Sequence, residues 1–172
     1  MMPSRRGFLL LCGGTAVATA AGLTQWRNFG AIPPAMASGK ESFAVTHTDA
    51  EWHQLLTEQQ YYILRAAGTE RPYSSQLNDE HRQGTFSCAG CQLSLFSSST
   101  KFNSHTGWPS FWQPLDGAVA TSSDHSFGMV RDEVHCHRCG GHLGHVFDDG
   151  PRPTGLRYCM NGLAMTFTPS GV

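Results

Sequence analysis

The sequence predicts a mainly β fold in which two short helices precede many short strands and turns. Nineteen glycines and nine prolines among 172 residues suit a chain with frequent turns better than a helical bundle. From Gly84 onward, short β-type runs alternate with turn signals, and two C-x-x-C pairs predict a structural metal site. The length fits one domain, and the balance of 12 basic and 13 acidic residues excludes a strongly basic nucleic-acid binder.

The first 37 residues have the organisation of a bacterial export signal. The pair Arg5-Arg6 is followed by an uncharged stretch rich in Gly, Ala and Thr, and Ala35-Met36-Ala37 is a small-residue cleavage motif. We therefore predict a twin-arginine-like signal and location in the bacterial periplasm. The predicted segments are an export signal over residues 1–37, a linker over 38–47 and one folded domain over 48–172.

An uncleaved membrane anchor is the alternative to a cleaved signal. The apolar stretch is short and weakly hydrophobic for a bilayer span, which favours cleavage. Cleavage before Ser38 removes three of the 12 basic residues and none of the 13 acidic ones, which leaves a net charge of −4. That charge argues against binding to nucleic-acid backbones. Membrane contact would arise only through a retained signal.

Two capping boxes predict the two helices. Thr48 is followed three residues later by Glu51, and Thr57 by Gln60, so each threonine can begin a helix. Gly68 is placed to end the second helix at its C′ position. We expect each helix to bury an apolar stripe in the core without taking part in chemistry; the stripe residues are Trp52, Leu55, Leu56, Tyr61, Ile63 and Leu64.

Short runs of β-type residues follow the helices. They are bounded by glycine, serine and proline, and the Asp149-Gly150-Pro151 turn precedes the last of them. The predicted strands cover residues 85–88, 92–96 and 128–134, and a long strand or hairpin covers 155–168.

Two cysteine pairs predict a closed metal site. The pairs are Cys88 with Cys91 and Cys136 with Cys139. Each can place two sulfurs on one metal from a tight knuckle, and four thiolates favour structural Zn²⁺. The alternative is two disulfides or redox-active dithiols, because exported proteins meet an oxidising environment. Zinc bound before export of the folded protein would protect the thiols.

Cys159 is left unpaired once cleavage removes Cys12, which favours a reactive thiol over an inert buried one. In a strand, Arg157, Cys159 and Asn161 share one face. Arg157 is then placed to stabilise the thiolate and to lower the pKa of Cys159. Asn161 is placed to orient a neighbouring group or to donate a hydrogen bond.

Two histidines and an aromatic cluster complete the candidate site. Histidine side chains ordinarily titrate near neutral pH, so His142 and His145 are candidates to give or take a proton. Metal ligation or support of another group is their alternative role. Trp108 and Phe111 flank a rigid proline, either in the core or in the wall of a small apolar pocket.

Taken together, these motifs resemble the type B methionine-R-sulfoxide reductase family. The resemblance extends over residues 48–167, nearly all of the chain that follows the signal. Several long motifs in the same order make it specific. They lie at residues 69–72, 88–91, 101–102, 107–111, 139–150 and 157–161.

The resemblance implies a mostly antiparallel fold of two sheets, with structural zinc away from the active site. It implies reduction of methionine-R-sulfoxide, mainly in oxidised proteins or peptides. Cys159 would attack the sulfoxide sulfur and become a sulfenic acid, while a protonated histidine gives its proton to the departing oxygen. Trp108 with Phe111 would hold the terminal methyl group. The polar surroundings would be Arg157, His142, His145 and Asn161, and the zinc ligands Cys88, Cys91, Cys136 and Cys139.

The sequence departs from that family pattern at one position. Many members carry a second, resolving cysteine just before the Gly-Trp-Pro motif, whereas residues 104–107 here read Ser-His-Thr-Gly. We therefore predict no intramolecular disulfide in the reaction cycle. The Cys159 sulfenic acid would be reduced by an external thiol, such as that of a thioredoxin-like protein.

Two other function classes compete with this hypothesis. A zinc-ribbon-like module that only binds proteins would explain the cysteine pairs, but it leaves the arginine and asparagine around Cys159 unexplained. A thiol oxidoreductase that acts through C-x-x-C would be contradicted by stoichiometric zinc that resists mild oxidants.

Overall fold

Residues 42–171 form two antiparallel β-sheets and two short α-helices. This computed structural model describes these residues, apart from the Phe127 side chain. The predicted mainly β class with two antiparallel sheets and short N-terminal helices is confirmed. The predicted export signal and most of the predicted linker lie outside the described residues. No helix of residues 42–171 combines the length and the apolar character that crossing a membrane requires.

Both predicted capping boxes are present at the starts of the helices. The Thr48 hydroxyl accepts a hydrogen bond from the Glu51 backbone at 3.3 Å, and the Glu51 carboxylate accepts one from the Thr48 backbone at 2.7 Å. Thr57 and Gln60 make the same reciprocal pair at 3.2 and 3.1 Å. These bonds satisfy N–H groups that have no partner within the helix. The helices are α1 (Asp49–Leu55) and α2 (Glu58–Leu64).

The end of α2 differs from the prediction. Ala67, and not Gly68, takes the left-handed conformation, with φ of 51°. Gly68 donates its N–H to the Tyr62 carbonyl at 2.9 Å. A Cβ atom on Gly68 would lie 2.3 Å from the Tyr62 ring, so close approach to that ring explains the glycine.

The strands divide into a three-stranded and a six-stranded sheet, and every pair is antiparallel. The smaller sheet has the spatial order β2 (Ser94–Ser97), β1 (Gly84–Cys88), β9 (Met165–Pro169). The larger sheet has the order β3 (Lys101–Phe102), β4 (Ser110–Phe111), β8 (Arg157–Met160), β7 (His142–Phe147), β6 (Arg131–Cys136), β5 (Val119–Asp124). The first three predicted strands correspond to β1, β2 and β6, with ends shifted by at most three residues.

The expectation of one long strand or hairpin over residues 155–168 is wrong. Strands β8 and β9 lie in different sheets, and a 3₁₀ turn over Gly162–Ala164 separates them. The buried Glu70 carboxylate holds this turn, because it accepts hydrogen bonds from the backbone N–H of Gly162 at 2.6 Å and of Leu163 at 3.0 Å. Because Glu70 precedes Gly162 by 92 residues, no local pattern indicates the turn.

Aromatic rings join the two sheets in the core. Phe111 of β4 stacks on Phe96 of β2, with ring centroids 4.3 Å apart, and meets Phe86 of β1 edge-on at 4.9 Å. All three side chains are fully buried, and each such burial stabilises the fold by roughly 1.5–3 kcal/mol. This contact holds β4 in place beside β8, the strand that carries Cys159.

Candidate active site and metal centre

The four predicted metal ligands meet at one point. Their sulfur atoms all lie within 4.8 Å of one another, and none of the four forms a disulfide. The sulfur atoms of Cys88 and Cys139 are 3.7 Å apart, and those of Cys91 and Cys136 are 3.5 Å apart. A tetrahedral zinc with Zn–S bonds of about 2.3 Å would place its sulfurs about 3.8 Å apart, so the spacing fits. The residues positioned to bind a metal ion are Cys88, Cys91, Cys136 and Cys139.

The two C-x-x-C pairs form knuckles with the same hydrogen bonds. In each, the residue after the second cysteine donates its N–H to the carbonyl of the first cysteine at 2.8 Å. These residues, Gln92 and Gly140, both have positive φ, at 59° and 67°. A Cβ atom on Gly140 would lie 2.3 Å from the Phe43 ring, so only glycine fits there. One knuckle follows β1 and the other follows β6, and a bound metal would therefore join the two sheets.

Cys159 lies inside the six-stranded sheet. Strand β8 is paired on both sides, so that Cys159 stands opposite Ser110 of β4 and opposite His145 of β7. Hydrogen bonds to strands on both sides fix the backbone of a residue, and they thereby fix the direction of its side chain.

A cavity of about 210 Å³ opens beside Cys159. Gly144 forms part of its wall, and a Cβ atom there would lie 2.1 Å from the Cys159 carbonyl oxygen. Only glycine allows β7 and β8 to approach so closely at this point. Of the predicted site residues, the cavity brings together Cys159, Trp108, His145 and Asn161. The other residues that line it are Thr69, Arg131, Gly144 and Phe147.

A chain of hydroxyl groups leads away from the Cys159 sulfur. The Thr106 hydroxyl lies 3.8 Å from that sulfur and 2.8 Å from the Ser104 hydroxyl. Ser104 is in turn 2.7 Å from Ser110, whose hydroxyl donates to the Trp108 carbonyl at 3.1 Å. The buried Ser110 therefore anchors the chain, and Thr106 is held against the sulfur.

The pKa of Cys159 depends on burial as well as on the predicted effect of Arg157. Burial raises the pKa of the Cys159 thiol, and it outweighs the Thr106 hydroxyl and the Arg157 charge, which lower the pKa. The lowering by Arg157 is thus real but smaller than the cost of burying a thiolate. Arg157 is also bound to Asp149 by two hydrogen bonds of 2.8 Å and lies 4.3 Å over the Phe147 ring. Cys159 consequently rests as a neutral thiol at neutral pH.

A carboxylate holds each of the two predicted histidines. His145 Nε2 lies 2.8 Å from Asp124 Oδ2, and His142 Nδ1 lies 2.6 Å from Glu133 Oε1. His145 lines the cavity, while His142 is buried beside it, with 5.5 Å between the ring centroids. Burial lowers the pKa of His145, and the hydrogen bond to Asp124 offsets this only in part. His145 is therefore neutral at neutral pH, unlike the protonated histidine that the resemblance implies.

Comparison with known proteins shows which family the chain belongs to. The SelR domain model matches residues 56–169. The chain is 52% identical over 126 residues to "Peptide methionine sulfoxide reductase MsrB" of Agrobacterium fabrum, which covers 73% of this chain and 93% of that protein. For the MsrB of Leptospira interrogans the identity is 51% over 127 residues, with coverages of 73% and 97%. For that of Thiobacillus denitrificans it is 53% over 123 residues, with coverages of 71% and 93%.

The chain belongs to the MsrB family of methionine sulfoxide reductases. The resemblance inferred from the motifs is thereby confirmed at the level of the family, and so is the enzyme class.

Asn161 has a supporting position at the cavity. It lines the cavity, but both ends of its amide are bound to backbone groups. Its oxygen accepts from the Glu70 N–H at 3.0 Å, and its nitrogen donates to the Leu143 carbonyl at 3.1 Å. The Trp108 indole donates to the Glu70 carbonyl at 3.2 Å. Glu70 and Asn161 together therefore hold Trp108 and β7 at the cavity wall.

The structure places Phe111 in the core and not among the residues that line the cavity. Side chains alternate along a strand, so Ser110 and Phe111 of β4 point to opposite faces of the sheet. Only Trp108 of the two predicted aromatic residues lies at the cavity.

Phe111→Ala should lower the free energy of unfolding by about 3–5 kcal/mol, because it leaves a void among stacked rings. Urea unfolding of the variant and the parent measures this difference. Trp108→Ala is the matched comparison, and it should instead raise KM with a smaller loss of stability. Unchanged stability together with a raised KM in Phe111→Ala would show that Phe111 contacts the substrate.

Several residues of the candidate site were not predicted from the sequence. Arg131 and Phe147 line the cavity, and Asp124 and Glu133 bind the two histidines. The pairing of β5, β6 and β7 brings these side chains together, and sequence spacing does not reveal that pairing. Thr69 and Phe147 both lie within motifs of the resemblance, at residues 69–72 and 139–150, and this is the signal that could have identified them.

Proposed function

We propose that this MsrB-family chain reduces the R epimer of methionine sulfoxide in oxidised proteins and peptides, with Cys159 as the nucleophile. One observation carries the proposal: a single cavity combines a thiol, an imidazole and an indole ring, from Cys159, His145 and Trp108. A thiol can remove the oxygen, an imidazole can move the proton, and an indole can hold the methyl group.

The chemical step transfers one oxygen atom and two electrons. The Cys159 sulfur attacks the sulfoxide sulfur and forms an S–S bond with it. This S–S bond and the S–O bond of the substrate then break as the oxygen becomes bonded to the Cys159 sulfur, and methionine leaves with its sulfur reduced by two electrons. The oxygen remains on Cys159 as a sulfenic acid, so the cysteine sulfur is oxidised by two electrons.

The path of the proton follows from the resting protonation states of Cys159 and His145. Cys159 begins as a thiol and His145 as a neutral imidazole, since burial raises the pKa of the first and lowers the pKa of the second. His145 takes the thiol proton as the sulfur attacks and delivers it to the sulfoxide oxygen as the S–O bond breaks. Charge therefore does not accumulate on the oxygen.

The choice of epimer follows from the two walls of the cavity. Trp108 and Phe147 offer apolar surface for the terminal methyl group, and His145 offers a polar group for the oxygen. When the cavity fixes the positions of the methyl group and the oxygen, and Cys159 attacks from a fixed direction, only one configuration of the sulfoxide sulfur fits.

Regeneration of Cys159 requires an external thiol, such as that of a thioredoxin-like reductant. The thiol attacks the sulfenic acid and releases water, and a second thiol then resolves the mixed disulfide. The proposal is supported by the neighbours of Cys159, which carry hydroxyl groups at Ser104, Thr106 and Ser110 where a resolving thiol would be needed.

Thr106→Cys should convert the enzyme to an internally resolving one, because the Thr106 oxygen lies 3.8 Å from the Cys159 sulfur. After one turnover without reductant, the variant should contain a disulfide to Cys159 that intact-mass analysis and peptide mapping detect. Oxidised parent protein and Thr106→Ser should instead form a dimedone adduct at Cys159. A disulfide between Cys159 and one of the four metal-site cysteines in the parent would contradict the external route.

Zinc is the metal that the four cysteines would hold. When bound, it supplies a structural cross-link, because four thiolates leave no open coordination position for chemistry. The protein's own contribution is two knuckles with matched hydrogen bonds, which present the sulfurs at suitable spacing.

The enzyme is exported through a twin-arginine-like signal and repairs oxidised proteins of the periplasm. This part of the proposal is supported by Arg5-Arg6 and by the cleavage motif that ends at Ala37. Intact mass of the protein recovered from the periplasm tests it, since cleavage leaves residues 38–172. Recovery only from the cytoplasm would contradict it.

The central experiment compares the separate R and S epimers of a methionine sulfoxide peptide, with dithiothreitol as the reductant. Turnover of the R epimer alone is expected. Turnover of the S epimer, or of neither epimer by folded protein with its metal bound, would overturn the proposal.

A further inference from the structure

One oxygen of Asp124 contacts both His145 and a nearby cation. Asp124 Oδ2 lies 2.8 Å from His145 Nε2 and 2.7 Å from an Arg131 terminal nitrogen. The other oxygen, Oδ1, accepts the Ser126 backbone N–H at 2.8 Å. Asp124 ends β5 directly opposite Arg131, which begins β6. Backbone and side-chain bonds therefore hold this carboxylate beside the cavity.

We infer that Asp124 is a positioning residue that fixes the tautomer of His145 and makes Nδ1 the nitrogen that exchanges protons in the reaction. An ionised carboxylate can only accept hydrogen bonds, so Nε2 must keep its hydrogen whether or not the ring is charged. Nδ1 is then the nitrogen that gains and loses a proton. The inference rests on the proposed function, in which His145 carries the proton from Cys159 to the sulfoxide oxygen.

The charge state of Asp124 supports this assignment. Hydrogen bonds from the Ser126 backbone and hydroxyl, and then from His145, hold the pKa of Asp124 well below its ordinary value. Asp124 is therefore ionised across the neutral range and remains an acceptor throughout the cycle.

Arg131 opposes Asp124 in its effect on His145. The carboxylate raises the pKa of His145, whereas burial, the Arg131 charge and His142 lower it. The other ionisable groups near His145 are Glu133, which lies opposite it on β6 and binds His142, and Cys159, which lies opposite it on β8. Asp124 thus orients the His145 ring, while the Arg131 charge lowers the pKa of that ring.

His142 is held through the other ring nitrogen. Its Nδ1 is bound to Glu133, and its Nε2 is buried without a hydrogen-bond partner among the described residues. Within the His-Leu-Gly-His motif, His142 is therefore held through Nδ1 and His145 through Nε2. Only His145 lines the cavity, so the tautomer of His145 is the one that bears on the reaction.

The tautomer of His145 can be measured directly in the unaltered protein. Long-range ¹H–¹⁵N correlation spectra of ¹⁵N-histidine-labelled enzyme distinguish a protonated Nε2 from a protonated Nδ1, with His145→Gln used for assignment. We expect protonated Nε2 and unprotonated Nδ1 near neutral pH. A neutral ring that carries its hydrogen on Nδ1 would overturn the inference, whatever the variants do.

Two substitutions should move the pH profile of single-turnover sulfoxide reduction in opposite directions. Asp124→Asn removes the anion, so the acid limb should move down by about one pH unit, with a rate loss of about tenfold or more. Arg131→Gln removes the cation, so the acid limb should move up by about half a unit or more. Asp132→Asn removes an exposed charge from the same strand and should leave the acid limb in place.

The outcomes separate this inference from the proposed function. If the parent enzyme reduces the R epimer but the acid limb stays in place in Asp124→Asn and in Arg131→Gln, the role of Asp124 is overturned and the reaction stands. If the parent enzyme reduces neither epimer, the proposed function itself fails. Shifts of the same sign in both variants would indicate a general disturbance of the site and would also overturn the inference.

Discussion

Cys159→Ser should abolish reduction of methionine-R-sulfoxide, with a loss of at least about 10³-fold. The hydroxyl of serine is far less acidic than a thiol and is a weak nucleophile toward sulfur. A second reason is specific to oxygen transfer: a sulfur can accept the oxygen as a sulfenic acid, whereas a serine oxygen would have to form a peroxide. Turnover of the R epimer with dithiothreitol measures the loss.

The fold should survive this substitution, because serine replaces a half-buried thiol at the edge of a cavity. Metal content and the unfolding midpoint of Cys159→Ser should therefore match those of the parent. Ser104→Ala, which alters the hydroxyl chain one step beyond Thr106, should retain measurable turnover and serves as the comparison. Substantial turnover by Cys159→Ser would show that the nucleophile lies elsewhere in the chain.

Loss of the metal should remove cooperative folding of the domain. The ligands come from the ends of β1 and β6, so they connect the three-stranded sheet to the six-stranded one. Binding of structural zinc contributes roughly 10–16 kcal/mol, which matches or exceeds the roughly 5–15 kcal/mol total stability of ordinary domains. Cys136→Ser should therefore bind no stoichiometric zinc and should lose its sharp thermal transition.

Calorimetry combined with metal analysis tests this expectation. Cys159→Ser is the matched control, because it also replaces one cysteine by serine but leaves the metal ligands intact. Chelation of the parent protein should reproduce the behaviour of Cys136→Ser. A normal thermal transition in metal-free Cys136→Ser would show that hydrophobic packing alone holds the two sheets together.

Local signals predicted the parts of the fold that depend on neighbours in the chain. A capping box spans four residues, and both boxes, at Thr48 and at Thr57, were found where the sequence placed them. A C-x-x-C knuckle is similarly local, and two knuckles were enough to predict that four sulfurs meet. The long motifs around Trp108, His145 and Cys159 were enough to indicate the family.

The positions of side chains relative to the sheets required the three-dimensional structure. The β8–β9 boundary depends on Glu70, which lies 92 residues from Gly162. The location of Phe111 depends on which face of β4 meets the smaller sheet. In both cases the deciding partner is distant in the chain, and a local pattern carries no information about it.

The proton chemistry of the site divides in the same way. The sequence was sufficient to propose a thiol and an imidazole as candidate reacting groups, because the types of the residues determine what chemistry they can perform. It was not sufficient to predict their charge states, since burial outweighs the Arg157 charge at Cys159 and lowers the pKa of His145. Desolvation and the Asp124 hydrogen bond arise only when β5, β6, β7 and β8 pack into one sheet, so these properties belong to the assembled fold.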